Sequence, residues 1–291
     1  MSTIIYASIP IFILTMILEG MWARRALREG ADIHGYERRD TMASLSMGLG
    51  NVAISAVTKI GSLAVMTLIY QHRLTTLSPT VWWSWVLLLF AEDFCYYWFH
   101  RLSHEVRCLW AAHENHHSSK HYNLSTALRQ SWTTPFTAPI FWWILPFIGF
   151  HPVAVLTQQA VSLLYQYWIH TESMKTLGPL EWVFNTPSHH RVHHGKNPEY
   201  LDRNHAGILI VWDRLFGTFE PERARVEYGL TKDIETFHPV KIAFHEWVAM
   251  VRDVRRARSV REGLLQVFGP PGYMPTRGDE RGGRAADAAS V

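Results

Sequence analysis

The side chains of this chain that are best suited to chemistry are histidines in short clusters. One H-x-x-x-H pair, two H-x-x-H-H triplets and a single histidine supply nine of them: His100, His104, His113, His116, His117, His170, His190, His193 and His194. Residues three and four apart share a helix face, so each cluster should present its imidazoles in one direction. One metal ion rarely takes more than about four or five protein ligands, so these histidines predict two metal ions. Imidazoles without a cysteine or acidic cluster favour a non-haem di-iron centre.

Other polar residues near the clusters are candidates to orient the ligands. Metal-bound histidines usually donate their second ring N–H to an acceptor. Glu92 and Asp93 precede His100 by two helical turns, and we expect one of them to be such an acceptor. The alternative for these carboxylates is an interfacial cap or an ion pair with a neighbouring arginine. His189 adjoins the last triplet, but its side chain should point about 100° away from that of His190, so it is expected to lie behind the ligands.

A rival motif overlaps the first triplet. His113, Glu114 and His117 match H-E-x-x-H, the zinc-protease signature in which the glutamate acts as the base. An intramembrane zinc metalloprotease is therefore an alternative function. It would leave most of the other cluster histidines without a purpose, whereas two metal ions use them all. His121 and His205 are further candidates for the same metal cluster.

The elements that must position the clusters are apolar segments of about membrane-spanning length. Five such segments occur: 3–18, 43–70, 80–99, 134–150 and 152–169. The connections 21–40 and 100–132 are rich in arginine, so the positive-inside rule places them, and everything after residue 170, in the cytoplasm. All the histidine clusters then lie on one side of the membrane. The predicted fold is an all-α integral-membrane helical bundle of about five transmembrane segments with a cytosolic histidine-rich helical cap.

The histidine clusters and their surroundings resemble the fatty acid hydroxylase/sterol desaturase superfamily of membrane di-iron enzymes. The similar stretches are EDFCYYWFHRLSHE (92–105), AAHENHHSSKHYNLSTALRQS (111–131), LLYQYWIHTE (163–172) and NTPSHHRVHHGKNPEYLDRNHAGILIVWDRLFGTFEPE (185–222). More narrowly, NLSTALRQ and NTPSHHRVHHG resemble the alkylglycerol monooxygenase group. The resemblance implies that the eight histidines of the pair and triplets are iron ligands at the catalytic centre, with His170 as a further metal ligand.

The resemblance also implies a membrane-bound monooxygenase that hydroxylates a lipid C–H bond with O2 and two electrons. Cleavage of a glyceryl ether lipid is one specific outcome, and lipid or sterol desaturation is the alternative within the superfamily. The implied metal cofactor is two Fe2+ ions. The electron donor is open, with a reduced pterin (tetrahydrobiopterin) as the donor that the resemblance implies. The expected partners are a lipid substrate, the membrane, and an electron-donating partner or small reductant.

Composition divides the chain into an apolar and a polar part. The 28 Lys and Arg against 25 Asp and Glu give a mild net charge of +3, and no nucleic-acid partner is expected. The predicted domains are a membrane-embedded di-iron hydroxylase domain at 1–220, a cytosolic helical extension at 221–275 and a disordered tail at 276–291. The arginines of a helix at 240–262 could contact anionic lipid, although solvation explains them equally well. An Arg-rich, Lys-poor sequence favours a bacterial inner membrane over the endoplasmic reticulum.

Overall fold

The fold is built from helices. The computed structural model describes residues 2–275, and within that range it contains isolated bridges but no extended strand. The α-helices are α1 (Ser2–Arg28), α2 (Arg38–Gln71), α3 (Trp82–Glu105), α4 (Arg107–Trp110), α5 (Glu114–His117), α6 (Thr134–Thr137), α7 (Ile144–Ile148), α8 (Pro152–Trp168), α9 (Pro187–His193), α10 (Val211–Phe216), α11 (Pro239–Arg256) and α12 (Val260–Phe268). Short 3₁₀ turns lie at Thr126–Leu128, Pro139–Trp142 and Gly178–Trp182. The predicted all-α class is confirmed.

Two helices are long and apolar enough to cross a membrane, judged by length and composition. They are Ala7–Arg28 within α1 and Arg38–Gln71, which is α2. Large apolar side chains cover their outer surfaces, and Val57 and Ile60 of α2 are 72% and 71% exposed. Hydrocarbon, rather than water, is the solvent in which such a surface is stable. These helices contain the predicted membrane segments 43–70 and most of 3–18, and they are typical of a membrane protein.

The other three predicted membrane segments differ in continuity. Most of 80–99 lies in α3, and 152–169 coincides with α8, so both are single helices. Residues 134–150 instead form α6, a 3₁₀ turn and α7. The prediction of one helix there is wrong because the segment contains three prolines, and proline lacks the N–H that a continuous helix needs. The number of membrane crossings stays a prediction.

The largest buried apolar cluster joins α3 and α8. Leu88 and Phe99 of α3 belong to it, together with Trp142 of the 3₁₀ turn and Val155 of α8. Burying such side chains is worth about 1.5–3 kcal/mol each, so the two helices are held firmly against each other. The end of α3 carries the first histidine pair, and the turn after α8 carries His170.

A second cluster fixes the short helix α9, which carries the last histidine triplet. It is formed by Tyr122, Val192, Tyr200, Val226 and Tyr228, all of them buried. The rings of Tyr122 and Tyr228 stack with centroids 4.8 Å apart. A seven-residue helix is not stable on its own, so this packing is what holds α9 in place.

The C-terminal helices α11 and α12 attach to the rest of the chain through a buried arginine. Arg107 of α4 donates to Glu246 and Asp253 of α11 and to Gln266 of α12. The described part of the predicted extension, 221–275, is therefore packed on the histidine-bearing part. The predicted disordered tail, 276–291, lies outside the described residues.

Candidate metal centre

The nine histidines singled out by the sequence come together in two adjacent groups. The first is formed by His100, His104, His113, His117 and His193, and the second by His116, His170, His190 and His194. Within each group, the candidate ligand nitrogens all lie within 4.8 Å of one another. The two groups touch, because the rings of His117 and His194 stack with centroids 4.4 Å apart. Each triplet is divided between the groups, so both groups depend on α5 and α9.

The first group is assembled from three parts of the chain. The end of α3 supplies two histidines, the α5 segment two and α9 one. His113 Nε2 lies 3.0 Å from His100 Nε2 and 3.1 Å from His117 Nε2. Nitrogens of neutral imidazoles that carry lone pairs gain nothing from such an approach, whereas a metal ion between them is stabilised by all of them.

The second group also brings Nε2 atoms of several imidazoles close together. His170 Nε2 lies 3.2 Å from His116 Nε2 and 3.0 Å from His190 Nε2. His170 enters from the turn after α8, opposite the α5 and α9 segments. The lone histidine of the sequence pattern is thus part of a four-histidine group and is 3% exposed.

The hydrogen bonds of the rings leave one nitrogen of several histidines directed at the metal position. His100 Nδ1 donates to the carbonyl of His205 at 2.8 Å, and His170 Nδ1 donates to that of Gln166 at 2.6 Å. A ring that donates from Nδ1 carries its lone pair on Nε2. In the part of the chain that the structure describes, three buried Nε2 atoms have no hydrogen-bond partner: those of His104, His193 and His194. Since buried polar atoms are rarely left unsatisfied, these residues fit bound metal ions.

Burial and crowding favour the neutral form of several of these histidines. Burial, followed by the neighbouring imidazoles, lowers the pKa of His113, His117, His193 and His194 well below the usual histidine range. Burial lowers the pKa of His116 to about 4. Neutral imidazole is the form that ligates a metal, so the site is ready for binding at neutral pH.

Asp93 and Glu92, the carboxylates expected to orient the rings, accept hydrogen bonds from other groups. Asp93 accepts from the backbone N–H groups of Ile208 and Leu209, at 2.7 and 2.9 Å, and from the indole of Trp212. Glu92 accepts from the indole of Trp142 at 3.1 Å. The acceptors of the ligand rings described above are backbone carbonyls, whereas His104 Nδ1 lies 3.3 Å from a carboxylate oxygen of Asp202. The orienting role expected of Glu92 and Asp93 stays a prediction. A backbone carbonyl carries no side-chain signal that a sequence could show.

His189, expected behind the ligands, lies on another side of α9. Its ring contacts Phe219 with centroids 5.4 Å apart, and burial lowers its pKa to about 4. His205, one of the further candidates, is fully buried with its ring centroid 5.0 Å from that of His104. Its Nδ1 has no partner among the described residues, but it is outside both groups. His121 bonds the carbonyl of His34 instead.

A buried ion pair that sequence analysis missed supports the second group. Arg129 is 1% exposed, donates to Asp40 at 2.6 Å, and also bonds Ser44 and Ser118. The carbonyl of Arg129 lies 3.3 Å from His116 Nδ1. The pair therefore ties the first turn of α2 to the segment behind a candidate ligand. The signal available in the sequence was only the arginine of NLSTALRQ.

The zinc-protease alternative requires Glu114 to face the metal as a base. Glu114 Oε1 instead lies 3.1 Å from His245 Nδ1 of α11. His113 and His117, the two histidines of that motif, belong to a group with three further imidazoles. A protease site needs one metal position that is open to water, and this geometry does not favour it.

Comparison with known proteins defines the class. Residues 85–218 match the model of the family described as fatty acid hydroxylase. This range contains most of α3 and the whole of α5, α8 and α9, and with them all nine histidines of the two groups. Residues 85–218 thus form a fatty acid hydroxylase domain by this comparison.

More specific similarity is to proteins named alkylglycerol monooxygenase. The one from Xenopus tropicalis is 42% identical over 267 residues, which cover 90% of this chain and 57% of the relative. Those from Homo sapiens and Danio rerio are 41% and 47% identical, covering 91% and 72% of this chain and 59% and 46% of those relatives. The chain thus spans about half to three-fifths of the relatives' length. No solved structure gives a significant match.

Proposed function

We propose that this chain is a membrane-bound monooxygenase that hydroxylates a lipid C–H bond at a di-iron centre. The observation that carries the proposal is the convergence of nine histidines, eight of them buried and His113 half-buried, into two groups, each with its ligand atoms within 4.8 Å. Iron bound there would supply the activation of O2 with two external electrons, which side chains alone cannot perform. The match of residues 85–218 to the fatty acid hydroxylase family model supports a lipid as the substrate.

The two groups have separate roles in this proposal. The five-histidine group holds one iron and the four-histidine group holds the other. The protein contributes neutral ligands, rings fixed by hydrogen bonds to carbonyls, and a buried setting that keeps bulk water away. His205 and His189 are not assigned as ligands.

The substrate that we propose is a glyceryl ether lipid, because the relatives reported above carry the name alkylglycerol monooxygenase. Hydroxylation of the carbon beside the ether oxygen gives a hemiacetal. The hemiacetal then breaks its C–O bond to release a fatty aldehyde and a glycerol with a free hydroxyl. A reduced pterin such as tetrahydrobiopterin, or an electron-donating protein, would supply the two electrons.

The membrane setting fits this chemistry. We place the histidine groups at the cytosolic edge of the bilayer, following the arginine-rich connections 21–40 and 100–132. A lipid would reach that edge with its headgroup in water and its first chain carbons just below. The relatives reported above are animal proteins and do not favour the bacterial inner membrane that the composition suggested.

The test uses the full chain, purified with iron in lipid nanodiscs. An alkylglycerol, O2 and tetrahydrobiopterin are supplied, and fatty aldehyde is measured by mass spectrometry. We expect aldehyde release, bound iron of about two per chain, and no product from the matched ester-linked monoacylglycerol. His116→Ala should abolish product formation while membrane insertion is unchanged.

Three results would contradict the proposal. Bound zinc at one per chain with cleavage of a peptide substrate would favour the protease instead. Iron at two per chain without lipid-dependent O2 uptake would leave a metal-binding protein without oxygenase activity. A lipid product lighter by two hydrogens would identify a desaturase and would exclude hydroxylation as the reaction.

A further inference from the structure

Helix α11 has two apolar faces, of which only one is covered. The inner face buries Ile242, Ala243 and Met250. The outer face exposes a stripe of large apolar side chains: Val240, Phe244, Val248 and Val251. At 100° per residue these four fall within about 80° of the helix circumference. An ordinary surface helix has a polar outer face, so this stripe needs a partner.

The inner face places α11 at the level where a membrane helix begins. Ile242 and Ala243 pack against Ala43 and Met47. Both of these residues lie in the first turns of α2, which begins at Arg38 and is apolar enough to span a membrane. Helix α11 therefore lies beside the point where α2 enters the bilayer.

The charges of α11 are separated by face. Its two acidic residues, Glu246 and Asp253, both pair with Arg107 of α4, at 2.6 Å each. Arg252 and Arg255 are exposed, and within residues 2–275 neither forms an ion pair with an acidic side chain. The outward side of α11 is consequently apolar and cationic, and its two acidic groups are paired with Arg107 on the opposite side of the helix.

A groove runs beside the apolar stripe. It has a volume of about 520 Å³ and is lined in part by Phe244 and Val248, together with Lys241 and Arg252. Apolar walls with adjoining cations suit a molecule that has an anionic headgroup and an acyl chain.

We propose that α11 is an interfacial helix that binds anionic phospholipid. Its apolar stripe inserts among the first chain carbons, and Arg252 and Arg255 contact the negatively charged headgroups. Charge complementarity and the position beside α2 favour a lipid surface over a second copy of this chain or a soluble partner. The proposal concerns the outer apolar stripe of α11, which contains none of the candidate ligands, and does not depend on turnover.

The test places a reporter on the stripe in the full chain. Val251→Cys, in a Cys108→Ser background, is labelled with bimane and reconstituted in vesicles of phosphatidylcholine alone or mixed with phosphatidylglycerol. We expect phosphatidylglycerol to shift the emission to the blue and to make it quenchable by lipids spin-labelled near the headgroup. Added salt should reduce the shift, because it screens charges at the interface.

Two double variants distinguish an effect of charge on lipid binding from an effect on folding. Arg252→Glu with Arg255→Glu should lose the lipid-dependent shift, whereas Arg252→Lys with Arg255→Lys should retain it. Water-like emission in both lipid mixtures would overturn the proposal and leave the face for a soluble partner. A shift that depends on protein density but not on phosphatidylglycerol would also overturn it, in favour of a second copy. Iron content, measured on the same samples, reports any failure of the metal site separately.

Discussion

At the scale of single residues, the two ring nitrogens of a candidate ligand have different roles: one donates a hydrogen bond and the other faces the metal position. His100 and His170 give Nδ1–H to backbone carbonyls and turn Nε2 toward neighbouring imidazoles. A carbonyl acceptor fixes the tautomer without bringing a charge into the site. These two rings can thus be crowded, buried and neutral at once, which is the state in which imidazoles ligate metal ions.

His170 allows the role of the lone histidine to be tested. His170→Ala removes one of four candidate nitrogens of the second group, so we expect bound iron to fall from about two toward about one per chain. Metal content of the purified protein, measured by mass spectrometry, checks this. His189→Ala is the matched control, because His189 is also buried but contacts Phe219 rather than a ligand ring. Unchanged iron in His170→Ala would remove that residue from the site.

The buried histidines also predict how the metal-free protein responds to acid. Burial lowers the pKa of His116 and His189 to about 4, whereas an unfolded histidine titrates near about 6.5. Between these values the unfolded chain binds more protons than the folded one. The contribution of these histidines to the free energy of unfolding is therefore complete above about pH 6.5, and it decreases as the pH drops toward about 4. The melting temperature in detergent with a chelator, followed by tryptophan fluorescence, should fall over this range. His189→Gln should show a shallower fall, and an identical profile would contradict this account of His189.

At the scale of elements, the ligands are held by short helices and loops that cannot position themselves. The loop before α10 is an example, because two buried carboxylates bond its backbone. Asp93 accepts from the amides of Ile208 and Leu209, and Asp213 accepts from those of His205 and Ala206. The carbonyl of the same His205 accepts from His100. We therefore propose that Asp93 is a positioning residue whose effect reaches His100 through the loop.

Asp93→Asn tests that chain of contacts. The new amide group can satisfy at most part of the three donors that Asp93 binds, so buried N–H groups lose a partner at about 1–3 kcal/mol each. We expect a lower melting temperature and weaker iron retention against a chelator. Glu92→Gln is the matched control on the same helix, because Glu92 accepts only from Trp142 and should affect iron retention little. Equal iron loss in both variants would show a general effect of disturbing α3.

At the scale of the whole molecule, the sequence predicted the converging histidines more completely than the arrangement and continuity of the helices. Histidine spacing predicted which side chains converge, because periodicity determines which residues share a face. The division of each triplet between two groups was not predictable, since it follows from how α5 and α9 face each other. The break at 134–150 shows a similar limit, because hydropathy measures apolar content while its prolines determine continuity.

The boundary predicted at residue 220 provides a test of how the molecule is held together. Val226 and Tyr228 lie beyond it, yet they are buried against Val192 of α9 and Tyr122. A chain ending at 220 would expose this cluster and lose the packing that holds α9, at about 2–5 kcal/mol for each large side chain removed. We therefore expect that truncation to abolish iron binding in purified protein. The matched truncation at 275 removes only the predicted tail and should retain about two irons per chain. Full iron content in the chain ending at 220 would show instead that the histidine-bearing part folds without residues 221–275.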